Sequence, residues 1–167
     1  AHILYKGLLF MGAGCLLHAA ATSKLSDLGG LVGRLPWVMV LYMVGAVSIS
    51  GMPFFNGFVS KNMTIFGAVE AHHMLIGIFL EVAAVGTFLS VGIKLPYFAF
   101  WAKPANNIEL RPIPKNMYLA MGIAAALCLA QGLYPRMLYS LLPNPVEFQP
   151  YTGWTLLQAF MLLSFTG

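Results

Sequence analysis

The sequence predicts an all-α fold, a polytopic transmembrane helix bundle with about six spans, one of them a broken helix. Three features predict it: an apolar composition, apolar runs of membrane-spanning length, and a Gly- and Pro-rich interruption. Of 167 residues, 59% are hydrophobic and 8% are charged, whereas a soluble domain carries about 25% charged residues. The mean hydropathy is +0.80. We therefore expect a lipid bilayer around this chain, and the sparse net charge of +4 argues against a nucleic-acid partner.

Six apolar segments account for the predicted spans, because a helix needs about 20 apolar residues to cross a bilayer. They cover 3–21, 36–50, 53–69, 74–101, 117–134 and the stretch from 153 onward. Pro36 opens the second segment, since a proline suits the first turn of a helix. Gly51, Pro53 and Gly57 interrupt the third, and non-helical backbone persists at membrane depth only where protein or water satisfies it. The third segment is therefore the predicted broken helix.

Polar loops join these segments at 23–35, 70–73, 102–116 and 135–151. If successive loops alternate sides of the membrane, 102–116 lies opposite the other three. The basic residues then divide three against three: Lys24, Arg34 and Arg136 on one side, Lys103, Arg111 and Lys115 on the other. Because lysine and arginine collect in cytoplasmic loops, the denser cluster predicts that 102–116 is cytoplasmic.

Both chain ends fall inside apolar runs, at Ala1 and at Gly167. The first residues do not have the pattern of a signal peptide. We therefore expect residues 1–167 to be a fragment of a longer polytopic protein, without an internal domain boundary.

Lys61 is the first candidate functional residue, because it follows the interruption inside an apolar segment. An ionisable side chain at membrane depth costs roughly 3 kcal/mol or more and usually marks an ion or proton path. Burial favours the neutral amine, so a buried lysine can exchange a proton near neutral pH. Ser60 and Asn56 are its expected polar partners. The alternative is a structural pairing with a carboxylate elsewhere in the protein.

His2, Lys6 and His18 are candidates on the first helix. His2 and Lys6 are four residues apart and share a helix face. The alternative for Lys6 is a side chain that reaches toward the membrane interface. His18 follows Lys6 by twelve residues, which places it about 120° round and roughly 18 Å along the helix. It is either a relay group nearer the surface or a histidine hydrogen-bonded to a loop.

Glu81 and Lys94 are weaker candidates in the fourth segment. Glu81 is either a carboxylate in a proton relay or a shallow interfacial group. Lys94 precedes the aromatic stretch 97–101, which is typical of a membrane interface. A structural anchor is therefore the favoured role for Lys94, and a place in the relay is the alternative.

Metal and cofactor sites are not expected. His72 and His73 are adjacent and would point about 100° apart on a helix, which makes a poor chelate. Cys15 and Cys128 lack metal-ligand spacing and suit packing positions. The sequence has no Gly-rich phosphate loop and no nucleophile elbow, so the chemistry of soluble enzymes is not predicted.

Three motifs resemble a known family. They are HILYKGLLFMGAG at 2–14, DLGGL at 27–31 with RLP at 34–36, and GMP at 51–53 with GFVSK at 57–61. In this order they resemble the proton-conducting antiporter subunits. These comprise large membrane subunits of respiratory complex I, their relatives in membrane-bound hydrogenases, and the A and D subunits of Mrp-type sodium/proton antiporters. The D-like subunit is the nearest in pattern.

The resemblance implies about fourteen helices in two inverted five-helix repeats, each with a broken helix. This chain would supply the second half of the second repeat and the helices that follow. Lys6 matches the lysine of the central polar axis, and Lys61 matches the lysine, or glutamate in some members, at the second broken helix. His2 matches a histidine one turn before the first of these lysines, and His18 matches a second histidine that is common in the family. Where many members have Ala-Phe-Phe, this chain has Ile-Leu-Tyr at 3–5, which preserves the His2–Lys6 spacing.

The resulting hypothesis is a subunit that moves protons through buried lysines, histidines and water in a multisubunit antiporter of the cytoplasmic, or inner, membrane. Other membrane subunits are the expected partners, no cofactor is expected, and sodium is left open as a second cargo. One alternative is a proton-pumping subunit of a complex I-like oxidoreductase or a membrane-bound hydrogenase, so membership of an enzyme stays open. The others are an unrelated substrate transporter and a structural scaffold subunit.

Overall fold

The computed structural model describes residues 1–103, 109–143 and 148–166, and every regular element in these ranges is helical. The helices are α1 (His2–Ala20), α2 (Pro36–Ser50), α3 (Asn56–Glu70), α4 (Met74–Trp101), α5 (Lys115–Leu133), α6 (Pro135–Tyr139) and α7 (Gly153–Thr166). The predicted all-α bundle is therefore confirmed. The centres of two predicted loops, 104–108 and 144–147, lie outside the described residues.

Helix lengths agree with a membrane protein. Within the described ranges, α1, α4 and α5 are long and apolar enough to cross a bilayer, and α2 and α7 are shorter apolar helices. The predicted segment bounds hold to within two residues, except that α3 begins at Asn56, three residues after the predicted start. Phe54 explains the difference, because its φ of 73° is incompatible with a right-handed helix.

The broken helix consists of α2 and α3, which run in the same direction on either side of residues 51–55. Gly51 ends α2 in the left-handed conformation, with φ 81°, which glycine adopts without steric cost. Both halves lie antiparallel to α4, because residues later in α2 and α3 contact residues earlier in α4. The pairs in contact are Tyr42 with Phe100, Ser50 with Gly92, and Val69 with Gly77.

This arrangement corrects the predicted topology. The Val32 N–H donates to the Phe100 carbonyl oxygen at 3.2 Å, and the Arg111 N–H donates to the Ala19 carbonyl oxygen at 2.9 Å. Loops 23–35 and 102–116 therefore meet at one end of the bundle, and their assignment to opposite sides is wrong. The prediction that successive loops alternate sides of the membrane failed because it counted the two halves of the broken helix as two membrane crossings. We call this end, defined by Lys24, Arg34, Lys103, Arg111 and Lys115, the basic end.

The core joins α1, α2 and α5. Gly12 allows the first two to approach closely, since a Cβ atom there would lie 2.5 Å from the Tyr42 ring. Small residues are used in this way between membrane helices. Cys15 and Cys128 are both free and buried in this core, in agreement with the predicted packing role.

Helix α4 departs from α-helical geometry in two π-helical stretches, Phe88–Lys94 and Tyr97–Trp101. Pro96 lies between them and has no N–H to donate, so the regular hydrogen-bond pattern cannot continue through it. Segments of π-helix occur frequently at functional sites. Here the first stretch packs on α2 where α2 reaches the break, with Gly92 against Ser50.

Candidate functional site at the helix break

Lys61 lies in α3, five residues after its first residue, and its side chain passes beside the break. A Cβ atom at Gly51 would lie 3.2 Å from Lys61 Cδ and 3.8 Å from Nζ. The Nζ atom is buried and has no hydrogen-bond partner among the described residues. The prediction that Ser60 and Asn56 are its polar partners is therefore wrong. Ser60 Oγ instead donates to the carbonyl oxygens of Asn56 and Gly57, at 3.1 and 3.3 Å.

A buried polar network centred on Asn56 holds the break in place. Asn56 is fully buried, and its Oδ1 accepts a hydrogen bond from the Ser48 hydroxyl. Its Nδ2 donates to Gln131 Oε1 at 3.2 Å and to the Ala1 carbonyl oxygen at 3.3 Å. The Gly57 N–H donates to Ser48 Oγ at 3.3 Å. The network pairs the side chains of Ser48, Asn56 and Gln131 with one another, as buried polar groups require, and ties α2 and α3 to α5 and to the start of α1.

Close backbone approaches clamp the same region. A Cβ atom at Gly57 would overlap the Ser48 carbonyl oxygen, and one at Gly132 would overlap the Phe54 carbonyl oxygen. The Tyr151 hydroxyl donates to the Gly132 carbonyl oxygen, and the Tyr151 ring stacks on Phe54 with ring centroids 5.9 Å apart. The end of α5 is thus fitted against the break without intervening side chains.

Three cavities meet at Lys61. One of about 590 Å³, which we call the α1 cavity, is lined by His2, Lys6 and Lys61 together with parts of α2 and α4. A second, of about 470 Å³, also joins His2 to Lys61. The third, of about 440 Å³, lies between α3, α4 and α7 and is lined by Lys61, Glu81 and Gln158; we call it the α7 cavity. Lys61 is therefore the residue shared by the cavities that reach the other candidates.

The α1 cavity brings together three of the predicted site residues. His2 Nδ1 also lies 2.8 Å from the Tyr5 hydroxyl, a hydrogen bond that the sequence did not predict. This contact orients the imidazole beside the cavity, because Tyr5 is itself buried against the core. His2, Lys6 and Lys61 therefore line one space, and their part in proton transfer stays a prediction.

The structure does not bring His18 or Lys94 to Lys61. His18 is exposed near the end of α1 that reaches the basic end, and Lys94 is exposed on the first π-helical stretch. Neither lines the three cavities that meet at Lys61. Glu81 does line the α7 cavity. The parts of these residues in proton transfer stay predictions.

Ser48 and Gln131 are site residues that sequence reasoning missed. Each is a polar side chain within an apolar stretch of its helix, and such residues often hydrogen-bond across membrane helices. That signal was present, but it does not identify the partner, because Gln131 lies 75 residues from Asn56 along the chain. In the described ranges, no group of three His, Cys, Asp or Glu side chains is placed to hold a metal ion.

A lysine beside a discontinuous helix is an arrangement typical of membrane proteins that move ions. The family described as NADH:quinone oxidoreductase/Mrp antiporter, transmembrane, matches residues 1–101. The chain belongs to this family, and the resemblance found in its motifs is confirmed.

Curated relatives extend the match beyond residue 101. The chain is 31% identical to the A-type component of a Na(+)/H(+) antiporter from Alkalihalophilus pseudofirmus over 149 residues, which covers 82% of this chain and 18% of that protein. It is 29% identical to hydrogenase-4 component B of Escherichia coli over 154 residues, covering 83% of this chain and 23% of that protein. The chain thus spans about a fifth of the length of these relatives.

A solved structure has the same fold. The Mrp complex from Dietzia sp. DQ12-45-1b contains a chain that superposes with a TM-score of 0.73 at 21% identity, covering 82% of this chain and 34% of that one. At this identity the likeness establishes the fold, which includes the multi-pass membrane arrangement. The nearer likeness to a D-type subunit stays a prediction.

Proposed function

We propose that this chain carries part of the proton path of a multisubunit cation/proton antiporter in the cytoplasmic, or inner, membrane. The observation that supports the proposal is the α1 cavity, in which Lys6, His2 and Lys61 line one space of about 590 Å³. A water molecule occupies about 30 Å³ in the liquid, so this cavity has room for a chain of several waters. Protons would pass between the two lysines along that chain.

In the proposed mechanism, Lys61 and Lys6 alternate between ammonium and amine forms. A positive charge on one lysine disfavours a positive charge on the other, so a proton that arrives at one lysine promotes release from its neighbour. His2 accepts and returns a proton between them, and Tyr5 holds its imidazole toward the cavity. His18 would serve as a relay group nearer the basic end.

The polar network at the break positions Lys61 for this exchange. Asn56 fixes the start of α3 to Ser48 on α2 and to Gln131 on α5, and Lys61 follows Asn56 by five residues. The ammonium group can therefore stand beside the break with its hydrogen bonds left for water. A lysine held by a protein partner would lose that freedom.

The proposed orientation places the basic end in the cytoplasm. Lysine and arginine in short loops favour the cytoplasmic side, and the basic end gathers residues that were predicted to be divided between the two sides. The partners would be further membrane subunits of the same complex. Sodium is proposed as the exchanged cation because a similar relative is named as part of a Na(+)/H(+) antiporter.

A second candidate function is a proton-pumping subunit of a redox complex. It is favoured by the likeness to hydrogenase-4 component B and by the family itself. Purification of the intact complex under mild detergent conditions distinguishes the two, because a redox complex retains iron–sulfur subunits whereas an antiporter does not.

The proposed path is tested by Lys61→Ala in the full protein, with proton transport measured in vesicles that hold the assembled complex. We expect transport to be lost, since the alanine removes the group that lines all three cavities at the break. Lys94→Ala is the matched control, because it removes a lysine of α4 outside those cavities, and we expect nearly normal transport. Normal transport by an assembled Lys61→Ala complex would contradict the proposal and favour a scaffold role.

A further inference from the structure

We propose that Glu81 receives the proton that Lys61 releases, and that the α7 cavity is the way out toward the turn Ala71–His73. This inference rests on the proposed function and extends it to a residue and a compartment beyond the two lysines. Its starting point is geometric: Lys61 and Glu81 line the same cavity of about 440 Å³, between α3, α4 and α7.

The position of Glu81 gives the path a direction. Ala84 lines the α7 cavity beside Lys61, and Glu81 stands three residues nearer the start of α4, which is about 4.5 Å along the helix axis. The start of α4, Met74, follows the turn Ala71–His73 directly. This turn lies at the opposite end of α4 from the basic end. A proton that moves from Lys61 to Glu81 therefore moves away from the basic end.

Charge balance favours this pair as donor and acceptor. Before transfer the cavity holds an ammonium and a carboxylate, and after transfer it holds an amine and a carboxylic acid. The N–H bond at Lys61 breaks, a water chain carries the proton, and an O–H bond forms at Glu81. The net charge of the cavity is unchanged, so the step avoids placing an unbalanced charge in lipid, which costs several kcal/mol.

Among the described residues of α3, α4 and α7, no other ionisable side chain lines this cavity to compete for the proton. Helix α7 carries no charged residue in its described part, and Gln158 is the polar side chain that it contributes to the cavity. On α3, Glu70 lies beyond the cavity at the end of the helix, and on α4, Lys94 lies on the far side of Lys61. The Gln158 amide can hold water between the two groups, because it offers both a donor and an acceptor.

The test compares carboxylate variants in the assembled complex by proton transport in vesicles. Glu81→Gln keeps the size of the side chain and removes its exchangeable proton, and we expect transport to fall by on the order of a hundredfold, the scale of a positioned proton-transfer group. Glu81→Asp should retain most of the rate. Glu70→Gln, the control at the same end of the bundle, should transport normally.

The outcomes separate this inference from the proposed function. Loss of transport in both Lys61→Ala and Glu81→Gln supports both, and loss in Lys61→Ala alone overturns the role of Glu81 and leaves the lysine path standing. Normal transport in both variants overturns both. If Glu81→Gln does not assemble, Gln158→Leu tests the same cavity through an exposed residue: slowed transport supports the α7 route, and a normal rate overturns it.

Discussion

Replacing Gly57 with alanine tests whether the close fit at the break positions Lys61. The new Cβ atom would overlap the Ser48 carbonyl oxygen and lie 2.7 Å from its carbonyl carbon. Non-bonded carbon atoms prefer separations of about 3.5–4.0 Å, so the two halves of the broken helix must separate by roughly 1 Å. Overpacking of this kind typically costs about 1–3 kcal/mol. Lys61 follows by one helical turn and moves with α3.

The assay combines thermal unfolding of the detergent-solubilised complex with proton transport in vesicles. We expect Gly57→Ala to lower the unfolding temperature and to slow transport. The control is Gly67→Ala on the same helix, where a Cβ atom meets nothing within 4 Å. Alanine is favoured over glycine in a helix by about 1 kcal/mol, so the control should be neutral or stabilising. Equal stability and equal transport in the two variants would refute the argument from the close fit.

Three further predictions follow from the break and from the ends of the bundle. Gln131→Leu leaves one N–H of the buried Asn56 amide without its acceptor and should destabilise the complex by about 1–3 kcal/mol, seen in the same unfolding assay. Ser26→Cys and Ala71→Cys should react with a membrane-impermeant thiol reagent from opposite sides of the membrane, the first from the cytoplasm; reaction from one side would contradict the topology. Burial raises the pKa of the Tyr151 hydroxyl, so its hydrogen bond to the Gly132 carbonyl oxygen should persist through the ordinary range of tyrosine ionisation at about pH 10 and be lost only as the pH rises through the elevated pKa, measured by tyrosinate absorbance against a Tyr151→Phe variant.

Local sequence patterns predicted the helices well, because apolar runs and their interruptions follow directly from the cost of exposing polar groups to lipid. The predicted membrane topology was wrong at one point, the sidedness of loops 23–35 and 102–116. The segments 36–50 and 53–69 are each shorter than a full crossing, and that shortness was the available sign that they form two halves of one crossing. Once α2 and α3 are joined, the even division of basic residues between the two sides disappears.

The site was predictable to the extent that it depends on single residues. The cost of a lysine in lipid identified Lys61, and the family motifs linked it to Lys6 and His2, which the structure places around one cavity. The partners of Asn56 were not predictable, because pairing between distant helices leaves no local pattern. Ser60 and Asn56 are near Lys61 in sequence, yet their hydrogen bonds go to backbone and to other helices.

Helix α4 has a mechanical consequence for the break, since its backbone stays helical, in α and π form, past both α2 and α3. A break between two helices is stiff when a third helix packs against both of them. Helix α4 contacts α2 at Ser50 and α3 at Val69, one on either side of the break. Bending at residues 51–55 would have to bend α4 as well or break one of these attachments. Under the proposed function, Lys61 and Glu81 would therefore keep a nearly constant spacing through a transport cycle. In the proposed mechanism, the proton would move by reorientation of the Lys61 side chain and of water, without hinge motion of the half-helices.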